Sequence, residues 1–405
     1  MSFIQDKILL LKGKVQHYAW GGFDYIPAWL QIENTKHQPF AEYWMGAHPS
    51  ASATLVTHNG ELSLQQLIND YPQEFLSQSA RQQFNELPYL LKILDVKGML
   101  SIQVHPTKES AAIGFESEEA AGVLLGAAHR NYKDKNHKPE VMVALSEFWL
   151  LHGFLELEKL KSTLQSVPEF NELIPLFGNG DYKALYQHVM NLPQSEVNNK
   201  LMPLVKREIE RKQKDETDKS EPGWWVAKLF QNSDEPEDID RGIYSIYFFN
   251  IVHVKEGEGV FQGAGLPHAY LEGQNVELMA NSDNVLRGGL TPKHIDVPEL
   301  MKHTTFEGIV PNVMKGEAMS EVEKNYPCPV PDFGIHQIHL KKGEQLEPQT
   351  HSLEIWIVMT GSVEITGSNA LTVYHGQSFA VLPAETFTIT ATEDALLYKA
   401  FVPEP

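Results

Sequence analysis

Residues 89–106 read YLLKILDVKGMLSIQVHP, and the way this stretch alternates decides the fold. Two β segments are legible in it, separated by a turn at Gly98. Side chains of an extended strand point alternately to opposite faces. Ser101, Gln103 and His105 therefore share one face of the second segment, and Ile102 and Val104 share the other. The apolar face asks for a core to lie against. The polar face sets an amide and an imidazole two residues apart, an ordinary solvent-facing stripe unless other donors converge on it.

Moving outward, residues 1–152 predict short strands and loops with a few helical stretches. AEYWMGAHPSASATL (41–55) is too rich in Gly, Pro and Ser for one long element. In SLQQLINDYPQEF (63–75) Leu64, Leu67 and Ile68 fall at helical spacing, and Pro72 breaks the pattern. EVMVALSEFWLLHGF (140–154) reads as a strand followed by an apolar run. From about 155 to 230 the period becomes helical, with Val197, Leu201, Leu204, Val205 and Ile209 on one face and a charged end at VKREIERKQKDETDK. The acidic stretch NSDEPEDID (232–240) closes this insertion, and GIYSIYFFNIVHVKEGEGVF (242–261) reads as a return to strands. From 328 onward SVEITG, LTVYHG and FTITAT give the all-β pattern of a small sandwich or barrel. The expectation is a mainly β chain with an α-helical insertion: a first β domain in two parts, 1–152 and 242–327, a helical domain at 153–241, and a second β domain at 328–405. The two β regions share a loose likeness, a Gly-led hairpin and then a Pro-bearing strand, without a strict repeat.

Composition narrows the function. A chain of 405 residues, 42% hydrophobic and 21% charged, is long enough for two or three domains with real cores. The net charge of −20 argues against nucleic acid as a partner, because phosphate backbones need a basic surface. If the ligand is an anion, a local cluster of Lys and Arg must reverse the field at its site. Cys328 is the single cysteine, so no disulfide closes within the chain and a reducing compartment is expected. MSFIQDKILLLKGKV is neither a signal peptide nor a membrane span, which points to a cytoplasmic protein.

Three separated segments carry metal-ligand chemistry. Gln103 and His105 form the first; Lys138 and Glu140 share a strand face in NHKPEVMV; His268 is aimed by the turn of GAGLPHAYLEG. Two imidazole nitrogens, a carboxylate and an amide oxygen suit Zn²⁺ or a similar divalent ion. Taken singly, each has a blander reading: a structural histidine, a surface carboxylate, a turn residue.

LSIQVHP, NYKDKNHKPE, LPHAYL and NSDNVLRGGLTPK occur in that order, and together they resemble the type I mannose-6-phosphate isomerases, zinc enzymes of the cupin superfamily. VQHYAWGG, AEYWMGAHP and the final β region resemble the same family, so the likeness spans nearly the whole chain and is weakest in the helical insertion. The resemblance implies two cupin-like β-barrel or jelly-roll domains around the helical one. It implies a single Zn²⁺ per chain on Gln103, His105, Glu140 and His268, and interconversion of mannose 6-phosphate and fructose 6-phosphate through an enediol. It matches Arg287 to a catalytic arginine, whose fixed charge fits an oxyanion or phosphate better than proton abstraction; the local alternative is an ion pair with Asp283. Lys138, His137 and Glu277 are the candidate bases, and neither sequence nor family chooses among them. Lys92 and Ser101 match positions near the sugar phosphate, with Asp283 also assigned to substrate, so Lys92→Ala is expected to raise KM more than it lowers kcat. Trp20 and Trp44 are given no role. In the last domain His351 and Glu354 remain, but Phe387 stands where a ligand histidine would, which implies a structural domain without metal. A non-catalytic sugar-phosphate sensor and an Fe²⁺ oxygenase are the competing readings. The partner expected is a small sugar phosphate, with no nucleic acid and no membrane; oligomeric state is left open.

Overall fold

Proline and glycine punctuation sets the element boundaries in the computed structural model, which describes residues 6–58, 60–231 and 238–404. The strands Tyr89–Val96 and Ile102–Val104 flank Gly98, as the alternation predicts. Ser63 caps the helix Leu64–Asp70, its hydroxyl accepting from the Gln66 N–H at 3.4 Å. That helix stops short of Pro72, which opens a separate helical turn, Pro72–Phe75.

Among the described residues strand outweighs helix, and the strands form three sheets whose strand orders are open rather than closed rings. The thirteen-residue strand His268–Ala280 organises the ten-stranded sheet. Along its second half it lies between Tyr89–Val96 and Glu140–Ala144. Along its first half it lies beside Phe148–Phe154, with His268 also opposite Gln103. The partners change near Gly273, at φ +129°, where a Cβ would fall 2.6 Å from the Glu147 carbonyl oxygen. Only glycine fits a strand that bends there.

Ile102 and Val104 are fully buried in a core shared with the helical region, which includes Leu160, Leu185, Val197, Leu201, Leu204, Val205 and Trp225. The helical insertion thus covers the apolar face of the strand, and the face carrying Gln103 is left for the site. The stretch 242–248 departs from the strand reading. It forms the helix Gly242–Phe248, with all seven residues buried, and the strand begins only at Phe249–Val254. A helix apolar all round is stable when every side is covered, and that packing overrides the β preference of its Ile, Tyr and Phe residues. Of the acidic stretch 232–240, residues 232–237 lie outside the described residues.

Ile8–Lys12 pairs with Ser378–Val381 and with Thr54–Thr57, so one nine-stranded sheet joins strands from both sides of the expected division at 327. A common core runs through it, with Leu9, Leu55 and Leu91 packed in one cluster with Phe333, Ile355 and Tyr398. Among the described residues no helix is long and apolar enough to cross a membrane.

Candidate metal centre

His105, Glu140 and His268 come from three strands or strand ends and are all buried. Each imidazole uses Nδ1 on a backbone carbonyl: His105 donates to Asn284 O at 2.8 Å, and His268 to Leu266 O at 2.9 Å. That fixes the proton on Nδ1 and leaves Nε2 as a lone pair. Both Nε2 atoms are buried without a hydrogen-bond partner, which is costly unless something accepts those lone pairs. They lie 3.5 and 3.4 Å from the two oxygens of Glu140. Two donors each about 2.1 Å from a shared ion at a tetrahedral angle stand about 3.4 Å apart, so the spacing is that of a coordination shell. The residues present fit a divalent metal. Among the described residues this is the one group of three His, Cys, Asp or Glu donors with such spacing.

Electrostatics support the same reading. Burial works to raise the Glu140 carboxyl, but the Lys138 ammonium at 2.6 Å and the two imidazoles hold it well below the usual carboxylate range. Burial first, and then the Lys138 charge, holds His105 down to about 4, so it is a neutral donor near pH 7. Gln103 stands opposite His268 on one side and Arg287 on the other, and cross-strand partners share a sheet face. The register thus lines up His268, Gln103 and Arg287. Ser101 immediately precedes the same strand. The pairing slips just after Arg287, at Gly289 (φ +131°), where a Cβ would sit 2.5 Å from Gly242 Cα. Such a bulge re-aims the side chain beside it.

Arg287 does not pair with Asp283. Among the described residues its half-buried guanidinium has no carboxylate within ion-pair distance, and burial lowers its pKa. Asp283 faces His48 instead, at 3.4 Å. Lys92 is held by Glu277 at 3.0 Å and Glu42 at 3.5 Å. Burial alone would lower its pKa, and the carboxylates of Glu277, Glu42 and Glu140 raise it instead. Glu277 is pushed up by burial, with Lys92 pulling back and Glu140 adding to the rise. His137 is not among the clustered donors, and its Nε2 lies 3.0 Å from the buried carboxylate of Asp332.

Sequence reasoning missed several groups. Trp44 donates its indole N–H to Glu42, and the Lys92 ammonium lies 5.2 Å from the Trp44 ring centre; the dipeptide spacing E-x-W was the available signal. Gln262 is fully buried with neither amide atom bonded, and the buried Tyr270 hydroxyl beside Glu277 is also without a partner. Lys293 is a second cation near Arg287, lowered by burial and by that charge. In the last β region His351 pairs with Glu404 at the surface, and Phe387 is core.

A family model described as the catalytic domain of type I phosphomannose isomerase matches residues 8–157. The chain is 36% identical over 397 residues to mannose-6-phosphate isomerase of Escherichia coli (strain K12), spanning 96% of this chain and 98% of that one. To the enzyme of that name from Mus musculus it is 31% identical, over 97% of this chain and 98% of that one. Among solved structures, mannose 6-phosphate isomerase from Salmonella typhimurium bound to substrate and a zinc atom superposes with a TM-score of 0.87 at 32% identity, over 98% of this chain and 100% of that one. A zinc-bound holo form of mannose 6-phosphate isomerase matches with the same TM-score at 31% identity, over the same shares of the two chains.

Proposed function

The chain belongs to the type I mannose-6-phosphate isomerase family and shares its isomerase activity, and we propose that it works with one Zn²⁺ held by His105, Glu140, His268 and Gln103, passing through an enediol. The observation that carries this reading is the pair of buried, unpartnered Nε2 lone pairs facing the two oxygens of Glu140. Bound there, zinc would polarise a sugar oxygen and stabilise negative charge as the carbonyl shifts between C1 and C2.

The chain's own groups divide the remaining work. Arg287, without a carboxylate partner among the described residues, meets the substrate's anionic charge, with Ser101 as a hydroxyl donor and Lys293 extending the positive field. This local cluster answers the puzzle of an anionic substrate on a chain of net charge −20. Lys138 Nζ and the Glu277 carboxyl are the groups suited to carry the proton between C2 and C1. Lys92 holds Glu277 in place, because its ammonium is already shared by two carboxylates. Asp283, anchored to His48, borders the same turn as Arg287 and is assigned to the substrate rim.

We read the β regions as two cupin-like units, 1–152 with 242–327 and 328–405, and 153–241 as the helical domain between them, in a cytoplasmic enzyme. The test is conversion of mannose 6-phosphate to fructose 6-phosphate in a coupled assay, before and after chelation. Activity that disappears on chelation and returns with Zn²⁺ is the expected result. No turnover by folded, zinc-loaded protein would overturn the reading in favour of a sugar-phosphate sensor.

A further inference from the structure

The segments NYKDKN (131–136) and NSDN (281–284) are bound to each other, and Asn284 is where they meet. Its side chain is buried and every polar atom is used. Oδ1 accepts from the Lys133 N–H at 2.7 Å and the Asp134 N–H at 3.3 Å. Nδ2 donates to Asp134 O at 2.8 Å, to Asp134 Oδ1 at 3.1 Å and to Asn136 O at 2.8 Å. The backbone carbonyl of the same residue accepts from His105 Nδ1. The neighbours of Asn284 reinforce the clamp: Ser282 Oγ donates to Asp134 Oδ1 at 2.8 Å, and the Asp283 N–H donates to Asp134 Oδ2, also at 2.8 Å.

The placement matters because both segments run straight into the site. Residues 133–136 lead directly to Lys138 and Glu140, and Asn284 precedes Arg287 by three residues. We propose that Asn284 is a positioning residue of the metal centre. Its amide fixes the approach of the segment that delivers Glu140, while its carbonyl sets the tautomer that frees His105 Nε2. One residue thereby orients two donors on separate strands and ties them to the strand of Arg287. The proposal rests on the metal reading above, and it adds a group that touches neither substrate nor metal. Outer-shell partners of this kind orient ligands, and losing one weakens metal binding about 10–100-fold.

The experiment uses the full chain, with Asn284→Ala, Asn284→Asp and Ser282→Ala compared with the parent. Asn284→Asp keeps the shape but turns an oxygen toward three acceptor oxygens, so it is expected to be the most damaging. Zinc affinity is read by competition with a chromophoric chelator, and ligand geometry by the absorption spectrum of the Co²⁺-substituted protein. The expected result is zinc binding weakened about 10–100-fold in Asn284→Ala with a shifted Co²⁺ spectrum, and an intermediate effect in Ser282→Ala, which keeps the clamp half made. Gln337→Ala is the stability control, because Gln337 is buried in the last β region and donates to the Tyr398 hydroxyl at 2.7 Å. It is expected to lower Tm and leave zinc affinity unchanged. Parental affinity and spectrum in both Asn284→Ala and Ser282→Ala, with only Tm reduced, would overturn the positioning role while leaving the metal site intact. A parent that fails to bind zinc would overturn the metal reading itself, and the proposal with it.

Discussion

Each β region of the molecule holds a lysine in the same three-sided cradle. In the first, Lys92 stands opposite Trp44 on the neighbouring strand, its Nζ 5.2 Å from the ring centre and 3.0 Å from Glu277. In the second, Lys399 stands opposite Trp356, at 5.4 Å from the ring centre and 2.8 Å from Glu323. Each tryptophan donates its indole N–H to the glutamate two residues before it, Glu42 in one case and Glu354 in the other. An aromatic face and a carboxylate together compensate a cation largely removed from water. What differs is the company. Beside the first cradle stand His105 and His268 with free Nε2 atoms around Glu140. Beside the second, His336 gives Nδ1 to Glu323 at 2.6 Å, and Phe387 fills the core. The lysine-on-tryptophan arrangement is therefore common to both regions, and what sets the first apart is the pair of imidazole nitrogens left without a partner around Glu140.

The sharpest way to break this asymmetry is to remove one carboxylate from each region. Glu140→Ala is expected to lower kcat by about 10³-fold or more, because the proposed metal site loses its carboxylate donor. Glu323→Ala is expected to keep kcat within about twofold and to lower Tm, as a change away from the reacting atoms should. Comparable losses of turnover in the two variants would show that the second region serves catalysis as well. Arg287→Ala comes next, with KM raised about 10–100-fold and Arg287→Lys recovering only part of it, since an ammonium lacks the fork of donors. If KM is unmoved, the phosphate lies elsewhere.

Paired lysine variants sharpen the comparison further. Lys92→Met and Lys399→Met should each cost about 2–4 kcal/mol of unfolding free energy, because each takes the ammonium from a mostly buried carboxylate. Denaturant titration measures both. Only Lys92→Met should also lower kcat, since Glu277 loses the group that holds it. A rise in KM with kcat intact would make Lys92 a phosphate contact instead, as the sequence alone suggested.

Much of this was legible in the sequence, for a physical reason. Strand alternation fixes which side chains share a face, so Gln103 with His105 and Lys138 with Glu140 could be paired from spacing alone. In sequence His137 reads as a candidate base beside Lys138, and its partner Asp332, 195 residues distant, could not be foreseen. Register is the information that sequence lacks. EYW and EIW are visible in the chain, but the matching of Trp44 to Lys92 and Trp356 to Lys399 needs the sheets assembled. The helix Gly242–Phe248 was misread because its composition is that of a strand, and only burial on every side makes it helical. The pairing of Ile8–Lys12 with Ser378–Val381 was hidden for the same reason as the cradles.

The smallest effect expected is a dependence on pH that belongs to the second cradle. Burial pushes the Glu354 carboxyl up to about 7, with the Lys399 ammonium opposing the rise. A carboxyl in the unfolded chain titrates near 4.5, so between that value and about 7 the folded state binds the proton that the unfolded state has released. The contribution of Glu354 is thus present in full below about 4.5 and is lost as pH rises through about 7. A shift of this size is worth on the order of 3 kcal/mol. Glu323, held near 2 by His336 first and then by Lys399 against its own burial, titrates below that window and does not mask it. Unfolding of the parent and of Glu354→Gln at pH 5.5 and pH 8 measures the effect. The parent is expected to lose stability between the two, and the variant to lose distinctly less. A loss that persists undiminished in the variant would move the titration to Glu277 in the first cradle, whose buried carboxyl is shifted in the same direction.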